Sequence, residues 1–239
     1  MTATPAAEPQ PSIWEDLLEI FYAPSRVFAR RSGKDIAIPF LVLIGLSIIL
    51  YYATADLFRP IMDAELQRRM ADVARQNPNM TAEQLEQGMA IGRKMAGFFG
   101  MIGLAILPWL VGFFLWLVGK IVGSVADLGS AMMIAVFAMY PRLLQYAASA
   151  VQAAILPEEK LTGQLSVSIG PGRFLDPDTA GALLTGLMAR LDLFTLWGTV
   201  LLAIGIKVKG KVSTGQAVVV GVLIWLLGGL PLVLGALRG

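Results

Sequence analysis

The stretch from Arg190 to Leu237 restricts this chain most. It reads as one apolar helix, a hinge carrying Lys207, Lys209 and Lys211, and a second apolar helix. Such a hairpin is stable where hydrocarbon covers the helices and the lysines stay at the water interface. The rest of the chain repeats the pattern. Ile36 to Ala55 is uncharged for 20 residues and Met95 to Gly119 for 25. Each is long enough to cross ~30 Å of hydrocarbon. A third run covers about residues 131–156, and the last two cover about 186–206 and 214–237. The expected fold class is all-α: a polytopic membrane helix bundle with five transmembrane helices. Residues 12–239 form its membrane domain, and no internal repeat stands out.

Composition narrows the chemistry. Of 239 residues, 56% are hydrophobic and 15% charged, against about a quarter charged in a soluble domain. The net charge of +2 and the lack of a basic strip argue against nucleic acid as a partner. The chain contains no cysteine and no histidine. The first absence removes disulfides and thiolate sites; the second removes the commonest general base and metal ligand. No phosphate loop or nucleophile elbow is present. Neither catalytic residues nor a metal or cofactor site is expected, and the chain does not read as an enzyme. Glu83 and Glu86 lie three apart on a helix; a solvated helix face explains them more simply than a catalytic carboxylate pair.

Between the spans the sequence carries local stop and start signals. Residues 1–11 are rich in Pro, Ala and Thr and lack a basic leader, so they are expected to be disordered rather than a signal peptide. Ser12 with Glu15 three residues on opens a helix whose Ile13, Trp14, Leu17, Leu18 and Phe21 share one side. Pro24 interrupts it, and Arg26, Arg30, Arg31 and Lys34 follow. An amphipathic segment with a basic flank either lies in the bilayer interface or packs on the protein's own cytoplasmic face; an interfacial helix is expected. Asp56 to Lys94 holds six basic and six acidic residues. Phe58, Met62, Leu66, Met70 and Val73 form one apolar stripe, Asn77-Pro78-Asn79 breaks it, and Thr81 with Gln84 caps a return helix. This predicts an extramembrane helical hairpin packed through its stripe. Gly97, Gly100 and Gly103 suit close helix contact in the second span, which Pro108 should kink. Leu165, Val167 and Ile169 alternate with polar residues as a short strand would.

Short basic segments set the orientation. Four Lys/Arg precede the first span, three fill the Lys207–Lys211 turn, and Lys120 lies on the same side. The positive-inside rule places the N-terminus in the cytoplasm and the C-terminus outside. The long 56–94 segment carries six basic residues on the outer side, diluted by its length.

Two spans contain charge. Arg142 sits roughly 18 Å into the third span, near mid-bilayer, where an arginine costs at least about 2.5–3.5 kcal/mol. Asp192, in the fourth, lies at similar depth and is the expected partner. Tyr140 and Gln145 complete a candidate intramembrane polar centre, because Pro141 frees a backbone carbonyl. Arg190 should point elsewhere. The cluster reads either as an ion, substrate or partner site or as a structural pair that fixes helix register.

The order of these features resembles the Yip (Ypt-interacting protein) family of five-span membrane proteins, its bacterial branch in particular. The matching residues are Phe21-Tyr22-Ala23-Pro24-Ser25-Arg26-Val27-Phe28, Tyr140-Pro141-Arg142, and Arg190-Leu191-Asp192-Leu193-Phe194-Thr195-Leu196-Trp197. Gly205, the lysine turn, and Ser213 with Gln216-Ala217 follow in order. The resemblance implies a Yip domain with a cytoplasmic N-terminus, in a bacterial inner membrane. The eukaryotic relatives are associated with small GTPases and vesicle traffic through a longer N-terminal region, so GTPase binding does not transfer. Some bacterial relatives act beside membrane transport machinery. The function expected is that of a non-enzymatic membrane-organising or adaptor protein. The alternative is an accessory permease subunit or small transporter built around Arg142 and Asp192. The partners expected are the lipid bilayer and other membrane proteins or a transport complex.

Overall fold

A computed structural model of the chain describes residues 12–176 and 179–236. The expected disorder of 1–11, the tip of the Asp176-Pro177-Asp178 turn and the end of the last span at Leu237 lie outside the described residues. The architecture is all-α, with no strand among the described residues and five helical segments long and apolar enough to cross a membrane.

The order is α1 (Ile13–Glu19), α2 (Pro24–Arg30), α3 (Ala37–Gln76), α4 (Ala82–Ile121), α5 (Leu128–Ala138), α6 (Tyr140–Ile155), α7 (Ala182–Ala189), α8 (Leu193–Gly210) and α9 (Thr214–Ala236). Residues 29–37, 120–129 and 207–216 meet at one end of the bundle, called here the lysine end. There Gln216 donates to the Val122 carbonyl, and Lys209 to the Ala29 carbonyl.

α5 is the central helix. It is apolar all round, as a helix surrounded by protein must be, and Ala131 and Met133–Tyr140 are buried. Its neighbours approach through glycine. A Cβ on Gly205 of α8 would lie 2.4 Å from Ile134, and one on Gly112 of α4 would lie 2.6 Å from Met132. Gly33 sits against Gly129 in the same way. Lipid gives helices no hydrophobic reason to associate, so close backbone approach supplies the packing.

α3 departs from expectation. The membrane span and the polar arm were expected as separate elements, but one helix of 40 residues, about 60 Å, runs through Asp56 and Pro60 to Gln76. Leaving hydrocarbon changes which side chains are tolerated, not the backbone hydrogen-bond pattern. Nothing before Asn77 ends the helix, and Asp56–Arg59 and Asp72–Arg75 pairs line its polar half. α4 returns for another 40 residues from the Thr81/Gln84 capping box. Arg93 donates to Asp63 at 2.8 Å across the two arms. Gly92 faces Leu66 and Gly97 faces Tyr51, so these glycines do admit α3, whereas Gly100 and Gly103 meet nothing within 4 Å.

The N-terminal segment is a helical hairpin docked on the bundle. Ser12 caps α1 and Pro24 opens α2 at the position where a missing N–H costs least. Ile20, Val27 and Phe28 are fully buried. Phe21 packs edge-on against Trp197 at 5.5 Å, while Lys209 holds the Ala29 carbonyl at 3.2 Å. Those two α8 residues are about 18 Å apart along the helix axis, so the hairpin tip reaches well beyond the lysine end. Asp16, fully buried, accepts from Arg30 and Arg31, and Glu19 also accepts from Arg30. Burial works against the Arg30 charge, but its hydrogen bonds and proximity to Glu19 and Asp16 outweigh burial and raise its pKa. The outer side stays bare, with Trp14 61%, Leu18 69% and Tyr22 76% exposed. The segment thus packs one face on the protein, as the second sequence alternative has it, and leaves the other face bare.

The expected strand at Leu165–Ile169 is instead a single 3₁₀ turn, Gln164–Val167. No neighbouring strand offers a ladder. Side chains take that role: Ser149 and Gln152 both donate to the Val167 carbonyl, at 3.1 and 2.8 Å.

Candidate functional site

The third and fourth spans are each broken. The α5–α6 break falls at Met139, two residues before Pro141. The α7–α8 break spans Arg190–Asp192. Asp192 was expected inside a continuous span; it is instead the N-cap of α8, 1% exposed. Its carboxylate accepts from the Phe194 N–H, from Gln145 Nε2 and from the Ile169 N–H, each at 2.9 Å. Three donors and the positive end of a helix together hold a buried anion. An Asp directly ahead of an apolar helical run is an N-cap signal, and read that way the break was visible in the sequence.

The four residues expected to form the polar centre divide. Gln145 and Asp192 are joined directly. Tyr140 is buried but turns the other way, donating to the Pro39 carbonyl of α3 at 2.7 Å. Arg142 lies in the first turn of α6, near the middle of the Leu128–Ile155 run. It interacts with Asp192 through charge, yet no ion pair or side-chain hydrogen bond joins it to a described residue. The expected direct pair is absent; the donors to the Asp192 oxygens are Gln145, Ile169 and Phe194.

Arg142 is exposed, facing a cavity of about 540 Å³ between α3, α4 and α6. Leu43, Phe58, Ile61, Met101 and Leu104 supply apolar wall; Ser47, Tyr51, Tyr146 and Ser168 supply hydroxyls. No acidic residue lines it among the described residues.

Arg190 points away from Asp192, toward α9. Its guanidinium donates to the Trp225 carbonyl and stacks 5.0 Å from the Trp225 ring centre, while Trp225 Nε1 donates back to the Arg190 carbonyl at 3.2 Å. Gly228 and Gly229 of α9 make room for it. Outside the membrane region, Glu83, Glu86, Glu158 and Glu159 are exposed. Among the described residues no group of three His, Cys, Asp or Glu comes together in a way that could hold a metal ion.

Comparison with curated proteins and with solved structures finds no match. A family model does match: that of the Yip1 domain, over residues 18–235. The match spans every membrane helix and the docked N-terminal hairpin from Leu18 onward. A chain with five membrane-crossing segments, matched over nearly its whole length, is an integral membrane protein belonging to the Yip1 domain family.

Proposed function

We propose that this chain is a non-enzymatic membrane-organising or adaptor protein of a bacterial inner membrane, with its N-terminus in the cytoplasm. The observation that carries this reading is the N-terminal hairpin. Asp16, Glu19, Arg30 and Arg31 pair with one another inside it, while Trp14, Leu18 and Tyr22 are displayed on its outer side. Aromatic and apolar side chains held rigidly at a surface are suited to contact with another protein or with lipid. The collection of Lys34, Lys120, Lys207, Lys209 and Lys211 at the end where the chain enters α3 supports a cytoplasmic lysine end.

Photoreactive amino acids at Trp14 and Tyr22, in native membranes, test the reading. An adaptor gives discrete protein adducts from both positions, while the same probe at Ile49, 64% exposed on α3, gives lipid adducts. Lipid adducts alone from all three positions would refute it. A reporter fused behind Gly239 tests orientation; activity in the cytosol contradicts the proposed topology.

The cavity before Arg142 favours a second reading, an accessory permease subunit or small transporter. A cysteine at Gln145, which lines the cavity, distinguishes the two in a chain that has no other cysteine. Labelling by a membrane-impermeant thiol reagent supports a solute path; full protection opposes it.

A further inference from the structure

The charges at the bundle centre do not balance: Asp192 is buried, whereas Arg142 is exposed to a cavity and Arg190 is half-buried. Arg142 and Arg190 lie within electrostatic reach of one another, and Asp192 is the carboxylate set against Arg142. Asp192 accepts three other donors and no hydrogen bond from Arg142, and Arg190 is turned to α9. An excess positive charge therefore remains at Arg142, near mid-membrane, where an unpaired cation is costly. The cavity in front of it offers no carboxylate. It offers hydroxyls, one of which, Ser168 Oγ, is buried without a hydrogen-bond partner. The remaining wall is aliphatic and aromatic, and about 540 Å³ lies within the range of small-molecule sites.

We propose that this cavity is a binding site for the phosphate headgroup of an anionic lipid, held by the Arg142 guanidinium with its apolar part along the α3–α4 wall. An arginine fork matches phosphate geometry and presents several donors at once. A free inorganic phosphate would satisfy the same charge but would leave the Leu43, Ile61 and Leu104 surface uncovered. A net-neutral lipid of equal chain length would cover that surface and leave the charge uncompensated. The proposal does not rest on the adaptor reading.

The test uses the full chain in detergent, with binding measured by native mass spectrometry. The probes are dioctanoyl phosphatidic acid, dioctanoyl phosphatidylcholine and inorganic phosphate. The expected result is one phosphatidic acid per chain, held more tightly than phosphatidylcholine and not displaced by inorganic phosphate at equal concentration. Arg142→Gln should weaken it roughly ten- to a hundredfold, the range for a hydrogen bond to a charged group, and Arg142→Lys should weaken it less. Gly100 lines the cavity and has open space before it, so Gly100→Leu should fill the site and lower binding without lowering the unfolding midpoint. Equal binding by wild type and Arg142→Gln overturns the proposal, as does phosphatidylcholine binding as tightly as phosphatidic acid. Displacement by inorganic phosphate at equal concentration overturns the lipid assignment. Should Arg142→Gln fail to fold, Gly100→Leu decides: unchanged binding in that folded variant refutes the site.

Discussion

Replacing Asp192 by Asn removes one charge and almost no volume, so its effect isolates what the carboxylate does. Asp192 accepts three hydrogen bonds, from Gln145, Ile169 and Phe194. Two converge on Oδ1 and one reaches Oδ2. An asparagine can keep the Oδ1 pair as ordinary neutral bonds, each weakened from about 1.5–3 to about 0.5–1.5 kcal/mol. Its amide nitrogen then faces the Ile169 N–H, donor against donor, which leaves a part-buried group unsatisfied at a cost of about 1–3 kcal/mol. Losses in membrane proteins run at the low end because the unfolded reference also finds partners. The expected destabilisation is about 2–4 kcal/mol, read by equilibrium unfolding in mixed micelles. The partner assignment is tested by double-mutant cycles. Asp192→Asn should couple to Gln145→Ala by about 0.5–1.5 kcal/mol and to Arg142→Gln by less, since only charge at a distance links that second pair. An Asp192→Asn variant as stable as wild type, or a stronger coupling to Arg142 than to Gln145, would refute the reasoning.

Other substitutions probe the packing and the N-terminal dock. Gly205→Ala places a methyl 2.4 Å from fully buried Ile134; overpacking of about 1–3 kcal/mol should exceed the helix-propensity gain, and Ile134→Ala in the same chain should recover part of it in the same unfolding assay. Arg30→Gln leaves Asp16 short of a donor and should release the hairpin, seen as thiol labelling of a cysteine at Ile20 that is protected in the parent. The sign of the Arg30 shift fixes its pH dependence. A raised pKa contributes stability that is fully present below the unfolded value and fades only as pH climbs through the folded one. Labelling at Ile20 should therefore show no change attributable to Arg30 between about pH 6 and 10. Gln152→Ala removes a donor to the Val167 carbonyl and should speed proteolysis within the 156–176 loop.

The membrane spans were legible because hydrocarbon forces long apolar runs, and the turns at Thr81 and Ser213 because capping boxes are local. Both boxes form, with Ser213 and Gln216 reciprocally bonded. The α5–α6 break followed from Tyr140-Pro141, since proline has no N–H to give. The continuity of α3 past Asp56 was missed because a polarity boundary was read as a helix end. What no local pattern carries is partnership at a distance. Arg30 finds Asp16 fourteen residues back, and the Ile169 N–H finds Asp192 from a loop whose path depends on Ser149 and Gln152. Arg142 was marked as anomalous in depth. That it faces a cavity while Gln145, Ile169 and Phe194 hold the carboxylate is decided only when all of these elements are assembled.

The N-terminal hairpin leaves the ribosome well before the α8 residues that grip it. Lys209, which holds the Ala29 carbonyl, is translated 180 residues later. At about 5–20 residues per second, the hairpin waits on the order of ten to forty seconds for its seat. Through that interval Ile20, Val27 and Phe28 need a temporary cover from lipid or an insertion chaperone, so the nascent chain, rather than the finished protein, is where this segment is most open to capture.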